Sequence, residues 1–157
     1  MTVYSRRLQD WLHHNNVKAE LLSFDKSVHS VEEAVAVSGY PVERITKSIV
    51  MLTAADDTIV IAMVPASKRV STERVRKYLQ LKERPLIADA ELIEKRIGQQ
   101  AGGNSPLSAG DAIILLDPEL LQMDWILTGG GDDRHLVKIS IEELRKAVPH
   151  KVTRVRK

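Results

Sequence analysis

The sequence predicts an α/β protein built on a mixed sheet. Three observations carry this. Segments with helical spacing alternate with short runs rich in β-branched residues, so helices and strands interleave along the chain. Two strand runs, Ile45 to Leu52 and Thr58 to Val64, are separated by a short turn containing Asp56-Asp57. Adjacent strands joined so tightly run antiparallel. Finally, Ser30 and Ser140 each open a Ser-x-x-Glu capping box, which marks a helix start.

Taken in order, Tyr4, Leu8, Trp11 and Leu12 follow helical spacing, so residues 3 to 14 read as an amphipathic helix that ends at Asn15-Asn16. Ala19 to Phe24 reads as a short strand. Ser30 caps a helix with Val31, Ala34 and Val35 inward, stopped by Gly39 before Pro41. The hairpin of residues 45 to 64 follows. Ser71 caps a helix whose Val75, Tyr78 and Leu79 are expected on one inward face. Pro85 to Ala88 is short and apolar, and Asp89 caps a helix that runs to Ile97 and Gly98. Ala112 to Leu116 reads as a buried strand, and Pro118 opens one helical turn. Trp125 to Thr128 and Leu136 to Ile139 form a strand pair around Gly129-Gly130-Gly131. The second capping box then opens a helix with Ile141, Leu144 and Val148 inward, and Pro149 leaves a basic tail.

Composition narrows the classes. With 157 residues and 43% hydrophobic content the chain is long enough for a core and reads as a single domain, 1–157. Cysteine is absent, which excludes disulfides, zinc-cysteine sites and a thiol nucleophile. No segment reads as a signal peptide or a membrane span, so a cytoplasmic protein with no membrane partner is expected. The net charge of +2 is too small to argue for nucleic acid. Its distribution is more telling: basic residues gather between Lys68 and Lys82 and again between Lys151 and Lys157. These clusters are expected to contact phosphates, or else to be solvated faces.

Few residues carry chemistry. Ala101 to Gly110 is a Gly- and Pro-rich loop between apolar runs, either a wide turn or a place where another group approaches the backbone. Lys47 sits in an apolar strand on the face of Ile45 and Ile49, so it either snorkels at the strand end or points into a cavity. Asp132, Asp133 and His135 could hold a metal, but match no known ligand spacing; no metal and no cofactor is expected. Ser105 and Ser108 lack the strand-turn-helix context of a hydrolase nucleophile.

Ile-Thr-Lys-Ser-Ile-Val around Lys47, Ala-Gly-Gly-Asn-Ser-Pro-Leu-Ser from Ala101, and the late Gly-Gly turn leading into a strand together resemble the YbaK/ProX domain. This is the aminoacyl-tRNA deacylase domain, also found inserted in some prolyl-tRNA synthetases. The resemblance runs from about Val17 to about Val148. It implies a barrel-like mixed sheet flanked by helices, with a pocket for the acylated 3′ end of tRNA. It implies that Lys47, Gly102 and Gly103 are the catalytic set. Asn104, Ser105, Pro106, Gly129, Gly130 and His135 would then bind substrate. One departure is Gly131-Asp132-Asp133-Arg134-His135, where many members continue with Arg-Gly; it leaves the amino acid removed open. The expected activity is trans-editing: hydrolysis of mischarged aminoacyl-tRNA by positioned water or by a substrate group, with no acyl-enzyme. An aminoacyl-tRNA synthetase is a further partner this raises. The alternatives are a non-catalytic module that binds tRNA ends or a nucleotide, and a metal-dependent hydrolase. Gly103→Val is expected to abolish activity while sparing the fold.

Overall fold

The computed structural model describes residues 1–157. Its helices are α1 (Val3–His14), α2 (Val31–Ser38), α3 (Thr72–Leu79), α4 (Ala90–Ile97) and α5 (Ile141–Ala147). Its strands are β1 (Ala19–Ser23), β2 (Thr46–Leu52), β3 (Ile59–Pro65), β4 (Leu86–Ile87), β5 (Ile113–Leu116), β6 (Trp125–Gly129), β7 (His135–Ser140) and β8 (Lys151–Val152). Pro118–Gln122 is a 3-10 turn with Pro at its start.

The strands form two sheets, in the orders β1-β7-β6 and β4-β2-β3-β5-β8. β2 and β3 pair antiparallel, with Lys47 opposite Val64, as the hairpin requires. β3 and β5 pair parallel, so the sheet is mixed. The barrel-like closure implied by the resemblance is replaced by a seam between two open sheets. At that seam Ile45 bridges Leu127 in parallel fashion, and the Thr46 hydroxyl donates to the Leu127 carbonyl at 2.8 Å. This is what carries the start of β2 to the glycine end of β6.

β3 explains the core. All seven of its residues are buried, because it lies between β2 and β5 with apolar layers on both faces. Ile59, Ile61 and Met63 face a large cluster with Leu8, Leu116, Ile126 and Leu144. Val60, Ala62 and Val64 face a smaller one with Val75, Leu115 and Val155. Each such side chain, taken from water, contributes about 1.5–3 kcal/mol. A third cluster, with Val28, Ala34, Leu127 and Leu136, backs the seam.

The structure corrects three local expectations. Tyr78 is 42% exposed, so the inward face of α3 is reduced to buried Val75 and partly buried Leu79. The box at Ser140 is half made: its hydroxyl accepts from Glu143 N–H, but the Glu143 carboxylate accepts from Lys18 N–H at 3.0 Å instead of turning back. At Ser30 both bonds form.

The third correction concerns the basic tail, which is built into the fold. β8 pairs with β5, Val155 is fully buried, and Ser71 N–H donates to the Val155 carbonyl at 2.7 Å. Asp117, itself fully buried, accepts from Val155 N–H at 2.9 Å and Arg156 N–H at 3.1 Å, and pairs with the Arg156 guanidinium at 2.7 Å. Burial pushes the Asp117 carboxyl up, but the hydrogen bonds from Arg156, Glu119 and Val155 outweigh it and leave the carboxyl below its usual range. Asp117→Asn is expected to cost about 3 kcal/mol, because it removes the buried charge that accepts from Val155 and Arg156 N–H and leaves partly buried Arg156 paired to Glu119 alone. That is a fall of about 10 °C in the unfolding midpoint at neutral pH. A carboxyl with a lowered folded pKa stabilises above its unfolded value, near about 3.9, and loses that contribution as pH falls through the folded value. Thermal melts should therefore show wild type and variant converging below about pH 4. A midpoint unchanged at pH 7 would refute the clasp.

Candidate functional site

A cleft of about 390 Å3 opens at the seam between the sheets. Ile45 to Ile49 of β2 form one wall, the start of α2 another, and Gly102, Asn104 and Gly129 close the far side. Its lining contains Lys47 and His29 but no carboxylate. The first turn of α2, anchored by the Ser30 box, also borders it, and a helix N-terminus favours anions. The cleft therefore suits a negatively charged or carbonyl-bearing group. A wider, more open depression of about 850 Å3 beside α5 contains none of the candidate catalytic or substrate-binding residues.

Lys47 points into this cleft rather than snorkelling away. It is half-buried, and its ammonium makes no hydrogen bond or ion pair with any other residue. Burial, and after it the positive charge of Arg69, hold its ammonium below the usual lysine range. A half-buried cation held in a cleft without a partner costs free energy that a bound anion would recover.

The glycine loop divides into two parts. Gly102 and Asn104 line the cleft, and their N–H groups make no hydrogen bond within the protein. The Asn104 Oδ1 atom is buried and unpartnered. Gly102 has φ +90, and a Cβ there would lie 2.0 Å from His29 Nδ1, so the imidazole rests directly on the glycine backbone. Gly103, by contrast, faces away. Its N–H donates to the Gln100 carbonyl at 2.9 Å and its carbonyl accepts from Gly131 N–H at 2.9 Å. A Cβ at Gly103 would sit 2.5 Å from the Asp132 backbone. Gly129 meets the Asn104 carbonyl in the same way, at 2.2 Å. These two glycines exist so that two loops can touch backbone to backbone.

Ser105 and Pro106 are buried outside the cleft. Ser105 N–H donates to Gln99 Oε1 at 2.8 Å, and the Gln99 amide donates to the Ser105 and Leu107 carbonyls at 3.1 and 2.9 Å. The Ser105 hydroxyl accepts from Leu107 N–H at 3.1 Å. This ties the loop shut and leaves the hydroxyl no access to a substrate. Gly130 is also buried, against the His135 backbone. Ser105, Pro106 and Gly130 thus lie in the packing around the cleft rather than in its lining.

His135 is buried and lies outside the cleft lining. Its Nδ1 pairs with Asp132 at 2.6 Å, and its Nε2 is buried without a partner. Asp132 also accepts from the Thr2 hydroxyl and from Arg134 N–H. Burial raises the Asp132 carboxyl, but the bonds from Thr2 and His135 outweigh it and hold it at about 2. Asp132 thus ties the β6–β7 turn to α1. No group of three or more His, Asp or Glu residues is arranged to hold a metal ion.

Two site residues escape sequence reading. Gln99 follows a helix stop and carries no local signal, since its partners lie six and eight residues on. His29 immediately precedes a capping serine and reads as part of a solvated loop.

The two-sheet α/β body thus carries a carboxylate-free, lysine-bearing cleft at its sheet seam. The aminoacyl-tRNA editing domain model matches residues 25–147, and the chain belongs to that family. The chain is 26% identical over 120 residues to a proline--tRNA ligase of Thermosipho africanus strain TCF52B; the match covers 76% of the chain and 21% of the ligase. It spans about a fifth of that relative. A solved structure described as a candidate trans-editing enzyme for prolyl tRNA synthetase superposes with TM-score 0.88 at 21% identity, covering 100% of this chain and 99% of the other. A scaffold protein used for computational epitope grafting superposes equally well, at 0.88 and 19% identity, covering 100% and 99%. At these identities the two structures show a shared fold. No helix is long and apolar enough to cross a membrane.

Proposed function

We propose that the protein hydrolyses the ester of mischarged aminoacyl-tRNA, releasing free amino acid and tRNA, with the acylated 3′ end in the Lys47 cleft. The observation that carries this is that the unpartnered Lys47 lines the same carboxylate-free cleft as Gly102 and Asn104, whose N–H groups make no hydrogen bond. The family match supplies the substrate class.

In this reading Lys47 holds the terminal phosphate or ribose end as a point charge. The free N–H groups polarise the ester carbonyl and stabilise its oxyanion. Gly129 lets the Asn104 backbone close against β6 and so holds the loop at the cleft. The ester is already activated, so positioning supplies much of the rate. A cleft of this size adds discrimination by exclusion, where a synthetase binding step gains only about 1–3 kcal/mol per methylene.

Deacylation of a panel of mischarged tRNAs, measured against the enzyme-free rate, tests the proposal. Release of at least one amino acid well above the spontaneous rate, unchanged by chelator, is expected. Binding without turnover on every member would make the protein a tRNA-end binding module. Chelator-sensitive turnover would require a metal instead.

Phosphate contacts release counterions, so KM should rise with added salt. Arg76 and Arg84 are paired to Glu73, and Arg156 to Asp117 and Glu119, so these three contribute little. Lys68, Arg69, Arg74, Lys77 and Lys82 are the cations to neutralise. Deleting the tail is no clean test, since it removes buried Val155 as well. A KM indifferent to salt would set this electrostatic contribution aside.

A further inference from the structure

We infer that His29 is a general base for the proposed hydrolysis; the inference rests on the hydrolase reading above. His29 is the only imidazole lining the cleft that also holds Lys47 and Asn104. It is exposed, and neither ring nitrogen makes a hydrogen bond, while its backbone N–H is fixed by the Ser27 hydroxyl at 3.2 Å. Its ring lies on Gly102, whose missing side chain is what allows the contact. The imidazole therefore sits beside the unbonded Gly102 N–H, where a carbonyl would be polarised.

Histidine is the side chain whose ordinary pKa suits proton transfer near neutrality. A ring nitrogen takes a proton from water as the water oxygen bonds to the ester carbonyl carbon. The tetrahedral oxyanion then collapses, breaking the bond to the ribose oxygen. That oxygen leaves with the proton from the imidazolium, and the neutral base is restored. No other reactant is needed. The charged groups facing His29 are Lys47 across the cleft and Glu33 within α2; the glycine loop presents backbone only, and Asp133 meets the neighbouring Val28 through its carbonyl.

The test is the pH profile of kcat/KM for wild type, His29→Gln and His29→Ala on one mischarged tRNA, corrected for spontaneous hydrolysis. The substrate's own amine titrates too, so the readout is the difference between proteins. Activity is expected to show an ascending limb in wild type, with that limb absent and the rate about a hundredfold lower in His29→Gln. Added imidazole should restore part of the His29→Ala rate. Both variants should melt with wild type, since the side chain is exposed. A His29→Gln profile that keeps the limb, or His29→Ala within twofold of wild type or unrescued by imidazole, overturns the inference while leaving the hydrolase reading intact. A wild type inactive on every ester overturns both.

Discussion

Gly103→Val is expected to abolish folding and deacylation together. A Cβ at this position falls 2.5 Å from the Asp132 backbone, and neighbouring backbone cannot step aside as a flexible side chain can. Both polar groups of Gly103 are also committed, to Gln100 and Gly131. Even Gly103→Ala should cost about 3 kcal/mol, near the upper end for overpacking. For a chain of this length that lowers the melting midpoint by about 10 °C. Valine adds two methyl groups to the same collision. Sequence reasoning expects the activity to go and the fold to stay, because it places Gly103 against the substrate; the contact with the 129–132 turn reverses that expectation. Melting and deacylation measured on one sample decide it. A Gly103→Val protein with a normal midpoint and no activity would return Gly103 to the substrate side.

Lys47→Ala is expected to leave the fold intact and lower kcat/KM about a hundredfold, ~2.7 kcal/mol. The loss should fall mainly on KM, because a charge that holds the substrate end does so before and during the reaction. Lys47→Arg should restore little, since a planar, forked guanidinium does not replace a compact ammonium as a point charge. Stability should move the other way. The folded state disfavours the Lys47 proton, so the unfolded chain binds it more tightly. Its unfavourable contribution is fully present below the folded pKa and is relieved as pH rises toward the unfolded value, about 10.4. Lys47→Met should accordingly melt slightly higher than wild type at neutral pH and lose that advantage in alkali. A variant with kcat/KM within twofold of wild type would remove Lys47 from the site.

Much of the architecture is decided locally and was legible in the sequence. Ser30, Ser71, Asp89 and Ser140 all cap the helices they announce, because a cap is a contact over three residues. The 46–65 hairpin and the β6–β7 pair follow from β-branched runs around short turns. Lys47 stood out because an apolar strand has no other use for a charge, and the structure places it in the cleft. What the sequence could not decide depends on contacts between segments far apart. The two sheets meet at a seam because Ile45 bridges Leu127, eighty-two positions away. The basic tail is structural because Asp117 draws it in. Adjacent glycines look alike in a string, yet Gly102 borders the cleft and Gly103 touches Asp132, since successive residues of a loop face different neighbours. His29 reaches the site only because the segment before α2 lies against Gly102, a juxtaposition that no local pattern encodes.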